Sequence, residues 1–452
     1  MKEALKLAGL EVSTEKEDLI CYSYDSSYAE PVLPTAVVWP RKTEEVARVL
    51  RYASEQGVSV VPRGAGTGMA GASVPSGRDS IVLSLEKMTK IIDVDTRTMT
   101  VVVEAGVVNG RLQRELEHLG FFYPPDPASM STCTLGGNVA TNAGGPRALK
   151  YGVTRDYVLG METVLADGTT LSLGGRTYKR TVGYDLRNLL VGSEGTLAVS
   201  TRLRLRMLPL PEDIMTLLIL FNDLESSGTA VSRILAAKVL PRTMELLDRS
   251  SLEALESYKP TGLPSDVEAL LLIEIDGYAA TIRREAERTV DLCRTLGGEP
   301  VIAEDDAARE RLWEARRSLS PALYRIKPNK LNQDVVVPRN KIPSLLASMR
   351  KLSEETGVTI VSFGHAGDGN MHINIMVDFS DPQEQSKARE LVRKVFEVTV
   401  SLGGSISGEH GIGTVKSPYL SMELAEREIG LMKEIKGIFD PRGTLNPGKI
   451  FP

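Results

Sequence analysis

Cysteine is scarce: three in 452 residues, Cys21, Cys133 and Cys293. They form no CxxC pair, and an odd count makes no disulfide framework. That excludes a disulfide-stapled secreted scaffold and an iron–sulfur cysteine run, and a reducing compartment is expected. Long apolar runs are missing too. None approaches the ~18 residues of a spanning helix, and the longest, at Met215–Phe221 and Ala269–Ile273, read as buried strands. The start, MKEALKLAGLEVSTEKEDL, is charged throughout and has no apolar h-region, so no signal peptide is expected. Excess positive charge is also absent. The 54 basic residues face 59 acidic ones, for a net charge of −5, which argues against a nucleic-acid-binding stripe. The expectation is a cytoplasmic protein, not transmembrane, able to sit peripheral to a membrane through partner subunits.

What is present is an ordinary globular composition, 42% hydrophobic and 25% charged, long enough for two or three domains. Strand and helix signals alternate over the first third. Thr35–Val38 reads as a strand. Thr43 reads as the N-cap of a helix carrying Val46, Val49, Leu50 and Ala53, which stops at Gly57. Further strands are expected at Val58–Val61, Ser80–Leu85, Thr100–Glu104 and Met161–Leu165. Two prolines in Leu208-Pro-Leu-Pro-Glu212 mark a hinge. Beyond it, strands at Thr216–Phe221, Ala269–Asp276 and Thr359–Phe363 alternate with charged helices such as Ala279–Leu296 and Asp305–Leu319. That pattern is an α+β domain with an antiparallel sheet.

Glycine is the surplus, 40 residues or about 9% against a usual ~7%, gathered in short runs. Gly66-Thr-Gly68-Met-Ala-Gly71 matches the dinucleotide fingerprint GxGxxG. That fingerprint requires a helix to open inside the glycines, and Pro75 and Gly77 break any such helix. The run reads instead as a loop of bare N–H groups suited to an anion, or as a turn without a ligand. A second run, Pro124 to Gly145, packs glycines and asparagines into a loop that tolerates positive φ and close backbone approach. A third is Gly192-Ser-Glu-Gly195. Three such runs beside strands in one ~200-residue domain point to a large phosphate-bearing cofactor.

Histidine is also rare, at four residues. His118 lies in a charged helix and reads as a surface residue. His365 and His372 flank Asp368-Gly369, a favoured two-residue turn. Counted outward from it, His365 opposes His372, with Cβ atoms ~5 Å apart, and Asn374 shares their face. The pair either chelates a metal or stacks without an ion. In Ser-Gly-Glu409-His410-Gly the two side chains point opposite ways if the segment is extended. Glu409 then completes a His/His/carboxylate site, while His410 acts as a base, since an ordinary imidazole titrates near ~6.5. The alternative is a glycine-rich turn with an exposed Glu-His pair.

PRGAGTG, PPDPASMSTCTLGGNVATNAGG, KYGVTRDYVLGMETVLADG, VGSEGTLAV, HAGDGNMH and SGEHGIG together resemble the FAD-linked D-2-hydroxy-acid dehydrogenases of the vanillyl-alcohol oxidase superfamily. The likeness runs from about Tyr24 to the C-terminus. It implies an α+β, two-domain fold of the p-cresol methylhydroxylase (PCMH) type with an antiparallel, ferredoxin-like cap. The expected bounds are 1–210 for the FAD domain, 211–404 for the cap, and 405–452 for a segment returning to the FAD domain, with the active site where they meet.

The resemblance implies that FAD is held by Pro62, Arg63, Gly64, Ala65, Gly66, Thr67, Gly68, Pro127, Ser129, Gly136, Gly137, Asn138, Thr141, Asn142, Gly144, Gly145, Gly195 and Asn446. Neither long loop contains a histidine, so attachment is expected to be non-covalent, with Cys133 the one residue able to reverse that. His365, His372 and Glu409 are implied metal ligands (Zn, Fe or Mn), His410 the base, Asn374 a substrate contact, and Arg316 the partner of the substrate carboxylate. Where some relatives place a lysine, two residues before Asp334, this chain has Asn332, which weakens the case for D-2-hydroxyglutarate.

The expected reaction is oxidation of D-lactate, or else glycolate, to the 2-oxo acid. Electrons then pass to an external acceptor: an electron-transfer flavoprotein, iron–sulfur subunit, cytochrome or quinone. KYGVTRDYV and QDVVVPRN look most like the lactate dehydrogenases coupled to an electron-transfer flavoprotein. The alternatives are a D-2-hydroxyglutarate dehydrogenase or the flavin subunit of a multi-subunit glycolate oxidase. A metal-dependent hydrolase and a silent scaffold subunit are the rival classes, and retention of His365, His372 and His410 speaks against the second.

Overall fold

In Thr43–Gln56 the buried side chains Val46, Val49, Leu50 and Ala53 recur at helical spacing, and the helix ends at Gly57 with φ +67°, the left-handed turn that glycine adopts without penalty. Its start differs from expectation by one residue: Lys42 is the N-cap and Thr43 the first helical position. The Thr43 hydroxyl serves elsewhere, bonding the Glu162 carboxylate and Thr201 Oγ1, the latter at 3.0 Å.

A computed structural model describes residues 9–77, 79–260, 263–264, 266–303 and 305–452. The first eight residues of the charged start therefore lie outside the described residues. The chain divides into two units. One comprises the chain up to Gly144, Gly152–Leu210 and Glu409–Pro452; the other comprises Gly145–Tyr151 and Pro211–Gly408. The break after Leu210 falls inside the proline pair. Two bounds differ from those read from sequence. The return to the first unit begins at Glu409, not 405, because 405–408 are held by the second unit: Ser405 and Val336 exchange backbone bonds, and Gly408 N donates to Asp334 Oδ2 at 2.9 Å. Gly145–Tyr151 also belongs to the second unit, where Lys150 Nζ donates to Asp276 O at 2.6 Å and Tyr151 OH to Asp276 Oδ2 at 2.8 Å.

The first unit opens with β1 (Glu11–Ser13), β2 (Ala36–Trp39), β3 (Ser59–Arg63) and β4 (Ser80–Ser84), in the order β1-β2-β4-β3. The β2–β4 and β3–β4 pairings are parallel, and every residue of β4 is buried, as expected where both sheet faces are covered. A second sheet, wholly antiparallel, is built from β5 (Ile91–Asp95), β6 (Thr100–Glu104), β8 (Val158–Val164), β9 (Thr170–Gly174) and β10 (Val199–Arg206), in the order β5-β6-β10-β8-β9. A two-residue ladder joins β7 (Phe121–Phe122) to β11 (Leu208–Pro209).

The second unit is a seven-stranded antiparallel sheet: β12 (Asp213–Phe221), β13 (Thr243–Asp248), β14 (Ala269–Gly277), β15 (Glu299–Ile302), β16 (Asn329–Val336), β17 (Ile360–His365) and β18 (Asn370–Val377), in the order β15-β12-β14-β13-β17-β18-β16. One face carries Leu218, Leu220, Leu247, Leu270, Leu272 and Phe363, and packs against Leu252 and Leu255 of helix Arg249–Tyr258 and Leu319 of helix Asp306–Ala322.

The hairpin register departs from expectation by two residues. His365 opposes Asn370 and Phe363 opposes His372, so Ala366–Gly369 form a four-residue connection rather than a two-residue turn. Two backbone N–H groups, of Asp368 and Gly369, fold back onto the His365 carbonyl. An even shift leaves each side chain on its expected face, so His365, His372 and Asn374 still share one.

Candidate active site

The first unit surrounds a cavity enclosing about 1330 Å³ of empty space, part of it open to solvent. Its wall includes Pro62–Gly68, Pro127, Ser129, Gly136, Gly137, Asn138, Thr141, Gly144 and Gly195, together with Glu409 and His410. Past the end of β3 at Arg63, Gly64–Gly71 is irregular backbone, with no helix inside the glycines.

The glycines are dictated by close approach. A Cβ on Gly64 would stand 2.2 Å from Thr134 Oγ1. One on Gly66, whose φ is +69°, would stand 2.1 Å from Arg63 Nη2. The loop thus wraps the Arg63 guanidinium, which donates to Tyr24 O at 2.7 Å and lies over the Tyr22 ring.

The second glycine run is not the loop expected from sequence. Leu135–Thr141 is a short helix with Thr134 as N-cap, its hydroxyl accepting from Gly137 N at 3.3 Å. These seven residues are helical in a stretch whose glycines and asparagines read as turn. Asn138 lines the cavity from this helix beside the Cys133 thiol, and among the described residues its buried Nδ2 has no oxygen partner.

Three expected cofactor residues are not in the wall. Asn142 caps the helix at φ +53°, and its Oδ1 accepts from Arg155 N at 2.9 Å. Gly145 sits in the second unit. Asn446 braces the wall from behind, donating to Ala72 O at 2.9 Å and Glu194 O at 2.7 Å. Gly144 is in the wall, but its bare Cα also serves a neighbour, since a Cβ there would come to 2.8 Å from Glu409 Oε2. Glu409 Oε1 and His410 Nε2 are 4.0 Å apart. Cys133 also lines the cavity, and burial pushes its thiol up from the ordinary value.

The second unit carries its own polar row on one sheet face. Registers put Glu245 opposite His365, Asp334 opposite His372, and Asn332 opposite Asn374. The two imidazole rings are 5.2 Å apart, edge to face, and His372 Nδ1 lies 4.0 Å from Asp334 Oδ1. His365 Nδ1 is 2.6 Å from Glu245 Oε1. The other Glu245 oxygen takes Arg316 Nε at 2.7 Å and Nη2 at 2.6 Å. Burial alone would raise the Glu245 carboxyl; the hydrogen bond from His365 Nδ1 and the Arg316 guanidinium overcome this and hold it well below the usual carboxylate range.

A carboxylate that fixes one nitrogen of a histidine is the usual support of a metal-binding imidazole, and two imidazoles with a carboxylate suit a divalent cation. Arg316 is expected against a substrate carboxylate, yet its Nε/Nη2 edge is already spent on Glu245. Asn374, expected at the substrate, donates to Val361 O at 3.2 Å and His372 O at 3.1 Å and accepts from Asn332 Nδ2 at 2.7 Å. It braces the strand that carries His372. His118 is exposed at the end of its helix.

Glu245, Asp334 and Glu194 were missed as functional candidates. The signal for the first two was a carboxylate at an inward position of an apolar strand, in TMELLD and LNQDVVV.

Residues 34–174 match the family model described as FAD binding domain, and residues 210–450 match that described as FAD linked oxidases, C-terminal domain. The chain is 42% identical over 435 residues to the glycolate oxidase subunit GlcD of Bacillus subtilis (strain 168), covering 96% of this chain and 92% of the relative. It is 39% identical over 416 residues to a D-lactate dehydrogenase of Archaeoglobus fulgidus, covering 92% and 90%. Among solved structures, p-cresol methylhydroxylase with substrate bound superposes with a TM-score of 0.84 at 17% identity, over 97% of this chain and 93% of that one. That likeness establishes the fold. Among the described residues, no helix is long and apolar enough to cross a membrane.

Proposed function

The chain belongs to the FAD-linked oxidases, in the group that includes glycolate oxidase subunits and D-lactate dehydrogenases, and on that premise we propose that it oxidises a small D-2-hydroxy acid to the 2-oxo acid. D-lactate is the first substrate and glycolate the second. The observation that carries this reading is one cavity wall in which the glycine loops stand beside Glu409 and His410.

FAD, when bound there, supplies the hydride acceptor. His410 takes the proton of the substrate hydroxyl as general base. His365, His372 and Glu409 are assigned to a divalent metal, Zn, Fe or Mn, with Asp334 a further donor beside His372. Such an ion, when held, lowers the pKa of a hydroxyl bound to it. Glu245 on Nδ1 of His365 fixes the orientation of that ring, the usual support of a ligating imidazole. Arg316 orients the substrate carboxylate with the edge that Glu245 does not use. Asn332 contributes an amide and no charge, which favours a small acid over D-2-hydroxyglutarate. The likeness to a glycolate oxidase subunit supports a second arrangement of the same chemistry, in which electrons leave through partner subunits rather than to a free electron-transfer flavoprotein, cytochrome or quinone.

An anaerobic visible spectrum tests the reading. The purified protein is expected to show flavin bands that bleach on adding D-lactate, and bleaching is expected to slow sharply after chelation and return with added metal. Bands that bleach with no D-2-hydroxy acid overturn the substrate class; bleaching indifferent to chelation overturns the metal.

Attachment is read as non-covalent, since a thiol pushed up by burial is a poor nucleophile at Cys133. After heat or acid denaturation, all the yellow colour is expected in the supernatant. Flavin that stays with the precipitate contradicts this.

A further inference from the structure

Glu194 is buried, 5% exposed, in the wall of the cofactor cavity, and the reaction proposed above gives it no role. Its surroundings are unusual for a wall residue. Each carboxylate oxygen takes one backbone N–H of the segment that follows His410: Ile412 N at 2.7 Å and Gly413 N at 2.8 Å. The approach is so close that a Cβ on Gly411, at φ +80°, would stand 2.7 Å from Glu194 Oε1. Only glycine fits between His410 and the carboxylate that holds the next turn.

Glu194 itself has φ +52°, in the left-handed region that an L side chain seldom adopts. Its surroundings fix that conformation. Its N–H donates to Ala140 O at 2.7 Å, in the glycine-bearing helix, and its carbonyl accepts from Asn446 Nδ2 at 2.7 Å. Asn446 also reaches Ala72 O. Glu194 therefore ties three segments directly, the helix, the C-terminal turn and the His410 segment, and Asn446 extends the tie to Ala72, just past the first glycine run.

We propose that Glu194 is a positioning residue, whose two-oxygen grip on Ile412 and Gly413 sets where His410 stands in the cofactor cavity. Two parallel N–H donors need two acceptors, which a carboxylate supplies and an amide does not. The arrangement is costly, because burial pushes the Glu194 carboxyl up to about 7 despite the two N–H bonds and the charges of Lys416 and Lys449. A buried carboxylate retained at such cost beside a reacting group is better explained by placement than by stability.

The kinetic part of this inference rests on His410 being the base; the clamp itself does not. Holoenzyme with Glu194→Gln is expected to keep its flavin. Hydrogen exchange at the Ile412 and Gly413 amides should accelerate, and kcat on D-lactate should fall by roughly 10²-fold with KM little changed, the scale of a misplaced reacting group. Glu194→Asp, which keeps both oxygens on a shorter arm, should recover part of kcat, and it replaces the Gln variant as the test if that variant does not fold. Unchanged exchange at both amides overturns the clamp, whatever the reaction. Accelerated exchange with unchanged kcat overturns the positioning role. If wild type oxidises no D-2-hydroxy acid but the exchange changes as stated, the clamp stands and the functional reading above falls.

Discussion

His410→Ala is expected to purify yellow and to turn over D-lactate ~10²–10⁴-fold more slowly, the range that a positioned general base contributes. Flavin should stay because the wall rests on other segments. The helix Leu135–Thr141, the loop Pro62–Gly68 and the turn at Gly195 line the cavity without help from the imidazole. The Glu194 bonds that fix the following turn run to the backbone of Ile412 and Gly413, which alanine at 410 leaves in place. The measurement is stopped-flow reduction of the bound flavin, beside the flavin-to-protein absorbance ratio. A variant with full flavin and most of its turnover removes His410 from the reaction. A colourless variant gives the residue a part in holding the cofactor instead.

How far the sequence led is clearest at the hairpin and at the second glycine run. Alternation alone put His365, His372 and Asn374 on one face, and a two-residue error in the turn could not undo that, since strand side chains repeat with period two. The turn itself was misjudged because Asp368-Gly369 is a strong local signal, while backbone bonds to the His365 carbonyl favour a longer connection. In Leu135–Thr141 local preference misled again. Gly136 and Gly137 are poor helix formers, but Thr134 caps the helix, and a Cβ on Gly136 would stand 2.7 Å from the Cβ of Ala105, so tertiary packing demands glycine there. The unit boundary was misjudged at 405 because nothing in Ser405–Gly408 announces that Val336 and Asp334 will hold it. Glu245 and Glu194 stayed hidden for a related reason. A lone carboxylate acquires meaning from partners 71 and 218 residues away, Arg316 and Ile412, and spacing along the chain does not report them.

Glu245→Gln is expected to cost the second unit ~3–5 kcal/mol, the penalty for removing one partner of a buried ion pair. Glu245 is fully buried and meets three charged-group bonds at once, from Arg316 Nε, Arg316 Nη2 and His365 Nδ1. Glutamine keeps the volume and gives up the charge, so the guanidinium stays inside, over the Phe363 ring, without compensation. At ~2–4 °C per kcal/mol for a unit of this size, the transition of that unit in a calorimetric scan should drop by roughly 6–20 °C. Activity should fall as well, because His365 loses the acceptor that fixes its Nδ1 and Arg316 loses the anchor of its Nε edge. The two effects are separable. Glu245→Leu combined with Arg316→Met removes the pair as a whole, and exchanging a buried ion pair for apolar groups of similar volume is often close to neutral. Stability should then return towards wild type while turnover stays low, since the double variant restores packing but neither the orientation of His365 nor a cation for the substrate carboxylate. If turnover returned along with stability, Glu245 would be a packing residue, and the chemistry assigned to Arg316 and His365 would have to be carried by other groups.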